Sequence, residues 1–401
     1  MRIGLNGLFL KQPMTGSGQY TKNLLAALAE IDQSNDYLLI TPPQGGDRAR
    51  MRAAANSATS FVAPMALGFR YREVKTPFDA FSRQLSKVWF EQIGVPNAGR
   101  REQVDVIHYP YFAAPLFSHP KVVVTIHDVI PLLQGPYRGS ASVQLYTKLV
   151  STAAKRAAAI ITDSESSKSD IVRILGIPSE KIAVVYLAVD AGFRMEDNGD
   201  ALRQVRRRYG LGEDFVLYIG GLDYRKNVIS LVEAFAEVRR RLGAGIKLAI
   251  AGHLAKESAL FPDVRGAVHK LGIEDAVVFL GPVADNDRPL LYSAAKVFVF
   301  PSLYEGFGLP PLEAMACGAP VICSNSSSLP EVVGDAAIVF EPTRRDELVL
   351  AMLDVLTKED LRAKLRGKGL RRAGEFSWAK TAQETLMVYE AVEKGCGTCE
   401  S

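Results

Sequence analysis

The sequence has few cysteines, little net charge and no long apolar run. With 4 cysteines in 401 residues, a scaffold held together by disulfides is not expected. The formal net charge of +4 is small for this length, so a nucleic-acid partner is not expected either. No segment reaches the roughly 18 uninterrupted apolar residues that a membrane-spanning helix needs. The first ten residues are typical of a strand and not of an export signal, and we expect a cytoplasmic protein.

The chain has enough apolar residues to build two domains of ordinary size. Hydrophobic residues make up 48% of it. A short apolar strand followed by a helix recurs through residues 1–190, and the alternation begins again in residues 200–377, after a charged linker predicted at 194–200. The repeated alternation predicts an α/β protein with two doubly wound, Rossmann-like domains. In the first domain Ser164 is predicted to cap a helix that runs to residue 175, and in the second domain further strands are predicted at 247–251, 277–280, 331–333 and 337–340.

The stretch from residue 298 to residue 330 organises the second half of the chain. A strand at 297–300 ends at Pro301, because proline removes a donor from the strand ladder. A glycine-containing loop at 302–309 follows, and Pro310 and Pro311 are typical of the first turn of a helix. Such a helix start presents free N–H groups and the positive end of the helix dipole. We therefore predict an anion site at the backbone amides of Phe307, Gly308 and Leu309.

Two carboxylates, Glu305 and Glu313, flank this helix start with seven residues between them. They would repel the anion that the amides attract, so they are not expected to bind a phosphate. Carboxylates accept hydrogen bonds strongly from neutral hydroxyl groups. A phosphate site beside hydroxyl-binding groups predicts a sugar nucleotide as the ligand.

The segment from Glu305 to Glu313, EGFGLPPLE, resembles the E-x7-E signature of retaining glycosyltransferases of the GT-B fold. The longer sequence SLYEGFGLPPLEAMACGAPVICSNSSSLPEVVGDAA resembles glycosyltransferase family 4, in particular its bacterial mannosyltransferase-like group 1 members. This resemblance implies two Rossmann-like domains that face a cleft, with a last helix at about 378–394 packing back on the first domain. It also implies that Glu305 holds sugar hydroxyls and Glu313 the ribose.

A second candidate phosphate site follows the predicted strand at 215–219. The sequence there is GGLDYRKN, in which Gly220 and Gly221 precede the cations Arg225 and Lys226. Glycines at a strand end, two cations and a following helix suit a diphosphate, although basic residues in such a loop can also be plain surface. The match of this segment to the family implies that Arg225 and Lys226 are catalytic and neutralise the departing diphosphate.

Two predicted strands end in histidine. Residues 104–107 precede His108, and residues 122–126 precede His127. Ligands of open α/β sheets bind at the carboxyl ends of the strands, where both histidines fall. Single histidines are more often structural, and for His108 both interpretations stay open. The segment TIHD resembles the family's position for a histidine that lines the donor-sugar pocket, which implies a catalytic role for His127.

The first strand is followed by a loop that contains Gly16 and Gly18, and then by a helix predicted at 19–31. The loop lacks the third glycine of a dinucleotide fingerprint, which disfavours a Rossmann dehydrogenase. Both glycines remain candidates for close approach to a phosphate or an acceptor, and a tight turn without a ligand is the alternative.

Three further features have plain interpretations. Asp285-Asn286-Asp287 is predicted to cap a helix and not to bind a metal, and no metal or cofactor beyond the nucleotide sugar is expected. Residues 42–104 contain the basic residues Arg48, Arg50, Arg52, Arg70, Arg72 and Lys75 among aromatics. They are predicted to form a solvated face, with peripheral contact to anionic lipid as the alternative. The Cys396-x-x-Cys399 tail is predicted to be frayed.

These features, with the resemblance, predict a retaining, metal-independent hexosyltransferase. The donor would be a nucleotide diphosphate sugar, with GDP-mannose favoured. The acceptor would be a hydroxyl of a glycan or lipid-linked molecule in cell-surface polysaccharide assembly. Two alternatives are a sugar-nucleotide epimerase on the same fold and a non-catalytic sugar-binding protein, and the latter would usually carry an export signal.

Overall fold

The computed structural model describes residues 1–12, 15–43, 68–133, 135–254 and 258–395. It divides into two compact units. The first comprises Met1–Leu187 and the segment that begins at Trp378, and the second comprises Ala188–Ser377. The division follows Leu187, several residues before the charged stretch that was predicted to be the linker. The end of that stretch already belongs to a helix of the second unit, which begins at Gly199 and is capped by Asn198.

The first unit contains a seven-stranded parallel sheet with the order β3-β2-β1-β4-β5-β6-β7. Its central strands are almost entirely buried, as expected of apolar strands with helices on both faces. The strands are β1 Arg2–Asn6, β2 Asp36–Thr41, β3 Arg70–Glu73, β4 Val106–Tyr109, β5 Lys121–Thr125, β6 Ala159–Thr162 and β7 Ile182–Val184.

The helices of this unit lie between the strands. They are α1 Gly16–Ile31, α2 Arg83–Trp89, α3 Val95–Arg101, α4 Ile130–Leu133, α5 Ala141–Ala154 and α6 Glu165–Asp170. A π-helical turn, Phe90–Gly94, joins α2 to α3, and a second one, Ile171–Leu175, continues α6. As predicted, Ser164 caps α6, and its side chain accepts a hydrogen bond from the backbone N–H of Ser167.

The second unit contains a six-stranded parallel sheet with the order β10-β9-β8-β11-β12-β13. The strands are β8 Phe215–Ile219, β9 Lys247–Ala251, β10 Val277–Gly281, β11 Val297–Phe300, β12 Val321–Ser324 and β13 Ala337–Phe340. The strand predicted at 331–333 is wrong, because those residues lie in a short helix. Pro330 lies in its first turn, and Gly334, with φ of 54°, follows its end.

The helices of the second unit alternate with its strands. They are α7 Gly199–Arg208, α8 Val228–Leu242, α9 Val264–Lys270, α10 Arg288–Ala294, α11 Leu309–Ala316, α12 Leu329–Val333, α13 Arg345–Thr357 and α14 Glu359–Ala373. Among the described residues of both units, no helix is both long and apolar enough to cross a membrane.

The last helix, α15 (Trp378–Lys394), belongs to the first unit although it follows the second in sequence. It packs against α1 and the ends of β4, β5 and β6. The hydroxyl of Thr381 donates a hydrogen bond to the carbonyl oxygen of Tyr186 at 2.7 Å. The chain therefore returns to its first unit to complete it.

Each sheet has one point at which the strand order reverses. In the first sheet this point lies between β1 and β4, and in the second between β8 and β11. The loops that leave the two strands at such a point turn away from each other and leave a crevice at the carboxyl ends of the strands. Open α/β sheets bind their ligands in this crevice. The candidate residues of the second unit follow β8 and β11.

Candidate functional site

The loops that follow β8 and β11 are tied to each other by backbone hydrogen bonds. Strands β8 and β11 are neighbours, with Val216 opposite Val297. The carbonyl of Arg225 accepts a hydrogen bond from the N–H of Leu303 at 2.7 Å. The guanidinium of Arg225 donates to the carbonyl of Tyr304 at 2.6 Å. These bonds place Arg225 and Lys226 against the loop that carries Glu305.

Glu305 is the centre of a buried charge cluster. Nζ of Lys226 lies 2.5 Å from its Oε1, and Nη1 of Arg225 lies 2.9 Å from its Oε2. The Ser302 hydroxyl donates a third hydrogen bond to Oε1 at 2.6 Å. Burial alone would raise the pKa of Glu305, but the charges of Lys226 and Arg225 outweigh burial and lower it. The carboxylate is therefore ionised at neutral pH.

The structure brings Arg225, Lys226 and Glu305 together, but it pairs them with one another. The sequence had assigned separate ligands to them, diphosphate for the two cations and sugar hydroxyls for the carboxylate. Both cations share the Glu305 carboxylate, and Nε of Arg225 also lies 3.7 Å from Oδ1 of Asp223, so two cations are balanced by two carboxylates. A carboxylate has lone pairs left after three hydrogen bonds, so Glu305 can still accept from a hydroxyl.

Helix α11 begins beside this cluster, at Gly308. This residue has φ of +131°, which favours glycine, and a Cβ there would lie 2.9 Å from Cδ2 of Leu329. The N-cap residue Gly308 makes no side-chain capping hydrogen bond, and Pro310 and Pro311 follow in the first turn of the helix. Such a helix start suits the anion site predicted at the backbone amides of Phe307, Gly308 and Leu309. Ligand binding by these amides stays a prediction.

Glu313 is buried within α11 and already has partners. Arg288 donates to both carboxylate oxygens, at 2.8 and 2.6 Å, and the Tyr292 hydroxyl donates at 2.9 Å. Burial raises the pKa of Glu313 although Arg288 opposes the shift. Sequence reasoning missed Arg288 and Tyr292, which lie on α10. The binding of ribose by Glu313 stays a prediction, and the structure adds that Arg288 fixes the orientation of this carboxylate.

Gly220 and Gly221 follow β8. A Cβ on Gly220 would lie 2.8 Å from the hydroxyl oxygen of the buried Tyr218, and one on Gly221 would lie 2.8 Å from Oδ2 of Asp223. The Tyr218 hydroxyl also donates to the carbonyl of Gly221 at 2.5 Å. Close packing therefore accounts for Gly220, whereas the Asp223 carboxylate can turn away from a side chain at Gly221. The approach of either glycine to a phosphate stays a prediction.

The capping role predicted for the Asp285-Asn286-Asp287 segment is wrong for Asp287. Its side chain makes no capping hydrogen bond to α10. Instead it accepts from Nη1 of Arg208 at 2.7 and 2.8 Å and from the Tyr209 hydroxyl at 2.9 Å. Asp287 thus anchors the end of α7 to the start of α10. Within the described ranges, no group of three or more His, Cys, Asp or Glu side chains is placed to hold a metal ion.

His127 follows β5 in the first unit and pairs with Asp163, which follows β6. Nδ1 of the histidine lies 2.7 Å from Oδ2 of the aspartate. Burial would lower the pKa of His127, but the charge and hydrogen bond of Asp163 outweigh burial and raise the pKa, with smaller contributions from Asp128 and from a hydrogen bond to the Pro110 carbonyl. Nε2 is buried and makes no well-formed hydrogen bond with a described residue. The ring packs edge-on against Tyr20, with centroids 4.9 Å apart.

His108 is a core residue. It lies within β4, not after it, and is fully buried. One ring nitrogen lies 2.6 Å from the Tyr389 hydroxyl and the other 2.7 Å from Oγ1 of Thr125. Burial, with a smaller contribution from His127, lowers the pKa of His108 to about 3. Both nitrogens are used inside the first unit, which decides the open question in favour of a structural role.

Gly16 and Gly18 lie in the first turn of α1, which starts earlier than predicted. Thr15 caps the helix by accepting from the N–H of Gly18 at 3.2 Å. A Cβ on Gly18 would lie only 2.1 Å from the carbonyl oxygen of Gln12, whereas one on Gly16 would meet nothing within 4 Å. Close packing accounts for Gly18. It leaves Gly16 unexplained.

Some predicted features lie outside the described residues, namely Arg48, Arg50 and Arg52 and the two tail cysteines, Cys396 and Cys399. Of the remaining basic residues in that region, Arg70 pairs with Glu102 at 2.8 Å and Arg72 lies 3.8 Å from the same carboxylate. A surface on which arginines share a carboxylate is typical of a solvated face.

Comparison with known proteins follows the division of the chain. Residues 14–193 match the model of Glycosyltransferase Family 4, and residues 203–372 match that of Glycosyl transferases group 1. The chain belongs to glycosyltransferase family 4. The predicted α/β fold, GT-B with two Rossmann-like domains, is thereby confirmed, and so is a glycosyltransferase as the class of enzyme.

Relatives of this glycosyltransferase cover nearly all of it. It is 29% identical to the O-antigen chain mannosyltransferase B of Escherichia coli, over 95% of this chain and 97% of the relative. It is 28% identical to the MMP alpha-(1->4)-mannosyltransferase of Mycolicibacterium hassiacum, over the full length of both. Its fold is similar to that of Anabaena HepE in complex with UDP and glucose. That match has a TM-score of 0.71 and 18% identity, over 98% of this chain and 100% of the other.

Proposed function

We propose that this glycosyltransferase moves a mannosyl residue from GDP-mannose to a hydroxyl of a glycan or lipid-linked acceptor in cell-surface polysaccharide assembly. One observation carries the proposal: the buried cations Arg225 and Lys226 are held by Glu305, three residues before Gly308, the N-cap of α11. Such a place suits the diphosphate of a nucleotide sugar. The choice of mannose rests on the names of the two full-length relatives.

The same cluster supports a route for the chemistry. Departure of the diphosphate leaves growing negative charge, and Lys226, Arg225 and the amides that open α11 neutralise it as preorganised donors. Glu305 holds both cations in place before the donor binds and accepts a hydrogen bond from a hydroxyl of the sugar. Glu313, oriented by Arg288, accepts from the ribose. No metal takes part, and the anomeric configuration is retained.

His127 is assigned a contact to the transferred sugar. Its Nδ1–H donates to the Asp163 carboxylate, so that Nε2 of the neutral ring accepts a hydrogen bond from a sugar hydroxyl. Support comes from the position of His127 just after β5, because ligands of open α/β sheets bind at the carboxyl ends of the strands.

The test is an assay of the purified protein with GDP-mannose and, separately, with UDP-glucose, each with and without a mannose-terminated acceptor. Mass spectrometry detects the added hexose, and NMR of the product reports the anomeric configuration. The proposal predicts an α-linked product from GDP-mannose that needs the acceptor and persists in EDTA. An epimerised donor formed without acceptor would instead favour the epimerase. A β-linked product or inactivation by EDTA would contradict the retaining, metal-free route.

A lipid-linked acceptor would place the enzyme at the inner face of the membrane as a peripheral protein. This part of the proposal predicts faster transfer to a lipid-linked acceptor in vesicles than to the same glycan freed from its lipid. Equal rates of transfer to the lipid-linked acceptor and to the free glycan would contradict a peripheral location at the membrane.

A further inference from the structure

A groove of about 410 Å³ lies in the first unit beside helix α5. Helix α4 and the end of the π-helical turn at 171–175 complete its walls. None of the candidate residues for transfer lines it. Three cations do, Arg138, Lys148 and Lys155, and no acidic residue is among the described residues that line it. The groove is therefore positively charged.

These three cations have no side-chain partner among the described residues, unlike several other cations of the unit. Arg138, Lys148 and Lys155 are exposed and make no side-chain hydrogen bond or ion pair with the described residues. Elsewhere in the unit, Arg70 is paired with Glu102, and Arg173 is paired with Asp170. The local sequence explains the difference, since residues 129–162 contain no aspartate or glutamate. No acidic residue therefore lies close in sequence to these cations, and none is among the described residues that line the groove.

Ser151 adds a buried polar group that also lacks a partner. Its Oγ is inaccessible to solvent and makes no hydrogen bond within the described ranges, and the residue lines the groove. Lys148, Ser151 and Lys155 lie three and four residues apart, so they share one face of α5. A buried hydroxyl without a hydrogen bond costs free energy unless a ligand satisfies it. A hydroxyl flanked by cations is typical of a phosphate site.

The dipole of helix α5 is a structural reason for a cation in this groove, but it accounts for only one of the three cations. Lys155 follows the end of α5, where a cation favourably meets the negative end of the helix dipole. Arg138 precedes the helix and Lys148 lies in its middle, so the dipole explains neither. A second basic groove in this unit is a weaker candidate. Its Lys121 and Arg156 already donate to backbone carbonyls.

We propose that this groove binds a phosphate group through Arg138, Lys148 and Lys155, and through the hydroxyl of Ser151 after a change of its χ1 rotamer turns Oγ towards the groove. The phosphate can belong to a small soluble molecule or to the headgroup of an anionic phospholipid, because both present the same oxyanion to the groove. The site is separate from the cluster around Glu305 and does not depend on the donor or acceptor of the transfer reaction.

The test compares the full-length protein with two double variants. Lys148→Glu/Lys155→Glu inverts the charge of the groove, and Lys270→Glu/Lys364→Glu changes two exposed lysines of the second unit that have no partner among the described residues. Inorganic phosphate is titrated into each by calorimetry. Each is also sedimented with phosphatidylcholine vesicles, with and without phosphatidylglycerol. Any phosphate binding that remains in the groove variant is assigned to another site, for example the start of α11.

The proposal predicts that the groove variant loses at least about 10-fold in affinity for phosphate or for phosphatidylglycerol vesicles, while the control variant binds like wild type. Loss with phosphate alone identifies a soluble ligand, and loss with vesicles alone identifies a lipid headgroup. Equal binding by all three proteins, or no binding of either probe by wild type, would overturn the proposal.

A single substitution separates binding from folding. Ser151→Ala removes a hydroxyl that the free protein does not use, so the melting temperature should stay the same or rise. The affinity for the probe that wild type binds should still fall about 10-fold, because the ligand loses a hydrogen bond to a charged group. Unchanged affinity with a lower melting temperature would make Ser151 structural and overturn its role.

Discussion

Lys226 and Glu305 form a buried ion pair in which Nζ lies 2.5 Å from Oε1, although the two residues are 79 positions apart in sequence. Each charge would be costly to bury alone, and the two stabilise each other, while Arg225 adds a second cation beside Glu305. The pair locks the loop after β8 to the loop after β11. A preformed cluster of this kind needs little reorganisation when negative charge develops nearby.

Lys226→Ala should lower turnover severely, on the order of 100-fold or more, because it removes a preorganised donor to the departing diphosphate. Arg225 and Ser302 still satisfy Glu305, so the fold should persist. The measurement is the steady-state rate of mannosyl transfer, with the melting temperature recorded alongside. Lys364→Ala, an exposed lysine of α14, is the control and should keep full activity. Unchanged turnover in Lys226→Ala would remove this residue from the mechanism.

The charge of Glu305 should contribute to stability above a defined pH. Burial opposes ionisation, but Lys226 and Arg225 lower the pKa of Glu305 below its ordinary value of 4.5. A carboxylate with a lowered folded pKa stabilises the protein above the unfolded pKa and loses that contribution as pH falls through the folded pKa. Wild type should therefore exceed Glu305→Gln in unfolding free energy by a constant amount at neutral pH. The difference should shrink below about pH 4.3. Denaturant titrations at each pH measure the unfolding free energies. A difference between wild type and Glu305→Gln that stays constant down to pH 3 would contradict this prediction.

His108 should destabilise the protein as the pH falls below its ordinary pKa. Burial, with a smaller contribution from His127, lowers the folded pKa from 6.5 to about 3, so the unfolded chain takes up a proton that the native protein excludes. Stability is then lost as pH falls from 6.5 towards 3. His108→Gln should flatten the dependence of unfolding free energy on pH in this window by up to about 1.4 kcal/mol per pH unit. His119→Gln, at an exposed histidine, is the control variant. The same slope in both variants would argue against a neutral, buried His108.

The two glycines at the start of α1 should respond differently to alanine. Gly18→Ala forces a methyl group against the Gln12 carbonyl and should cost about 1–3 kcal/mol of stability. Gly16→Ala meets no atom within 4 Å and should be neutral or stabilising by about 0.4–1 kcal/mol. Melting temperatures test both. A stable Gly16→Ala protein with reduced transfer activity would support close approach of a ligand at this position, whereas full activity would leave Gly16 without a role in binding.

The strands were predictable where local sequence decides them. Phe215–Ile219, Lys247–Ala251 and Val297–Phe300 agree with the prediction to the residue, because apolar runs end at glycine or proline. The helix Leu329–Val333 was mistaken for a strand because it contains two adjacent valines. Proline in its first turn and the glycine after it outweigh that preference.

The sequence predicted where the candidate site lies in the fold, but it did not predict which side chains contact one another there. Neighbouring strand ends bring Arg225, Lys226 and Glu305 together, and this follows from the alternation of strands and helices. The pairing of Glu313 with Arg288 depends on how α10 packs beside α11, which no local pattern encodes. The carboxylates that seemed free in the sequence are therefore both held by cations in the folded chain.

The most direct test of the account is a crystal structure of the protein with GDP-mannose bound. The account predicts that the two phosphates lie within hydrogen-bond distance of Nζ of Lys226 and of the backbone amides that open α11, with the mannose hydroxyls against Glu305. Phosphates bound away from both Lys226 and the start of α11 would contradict it.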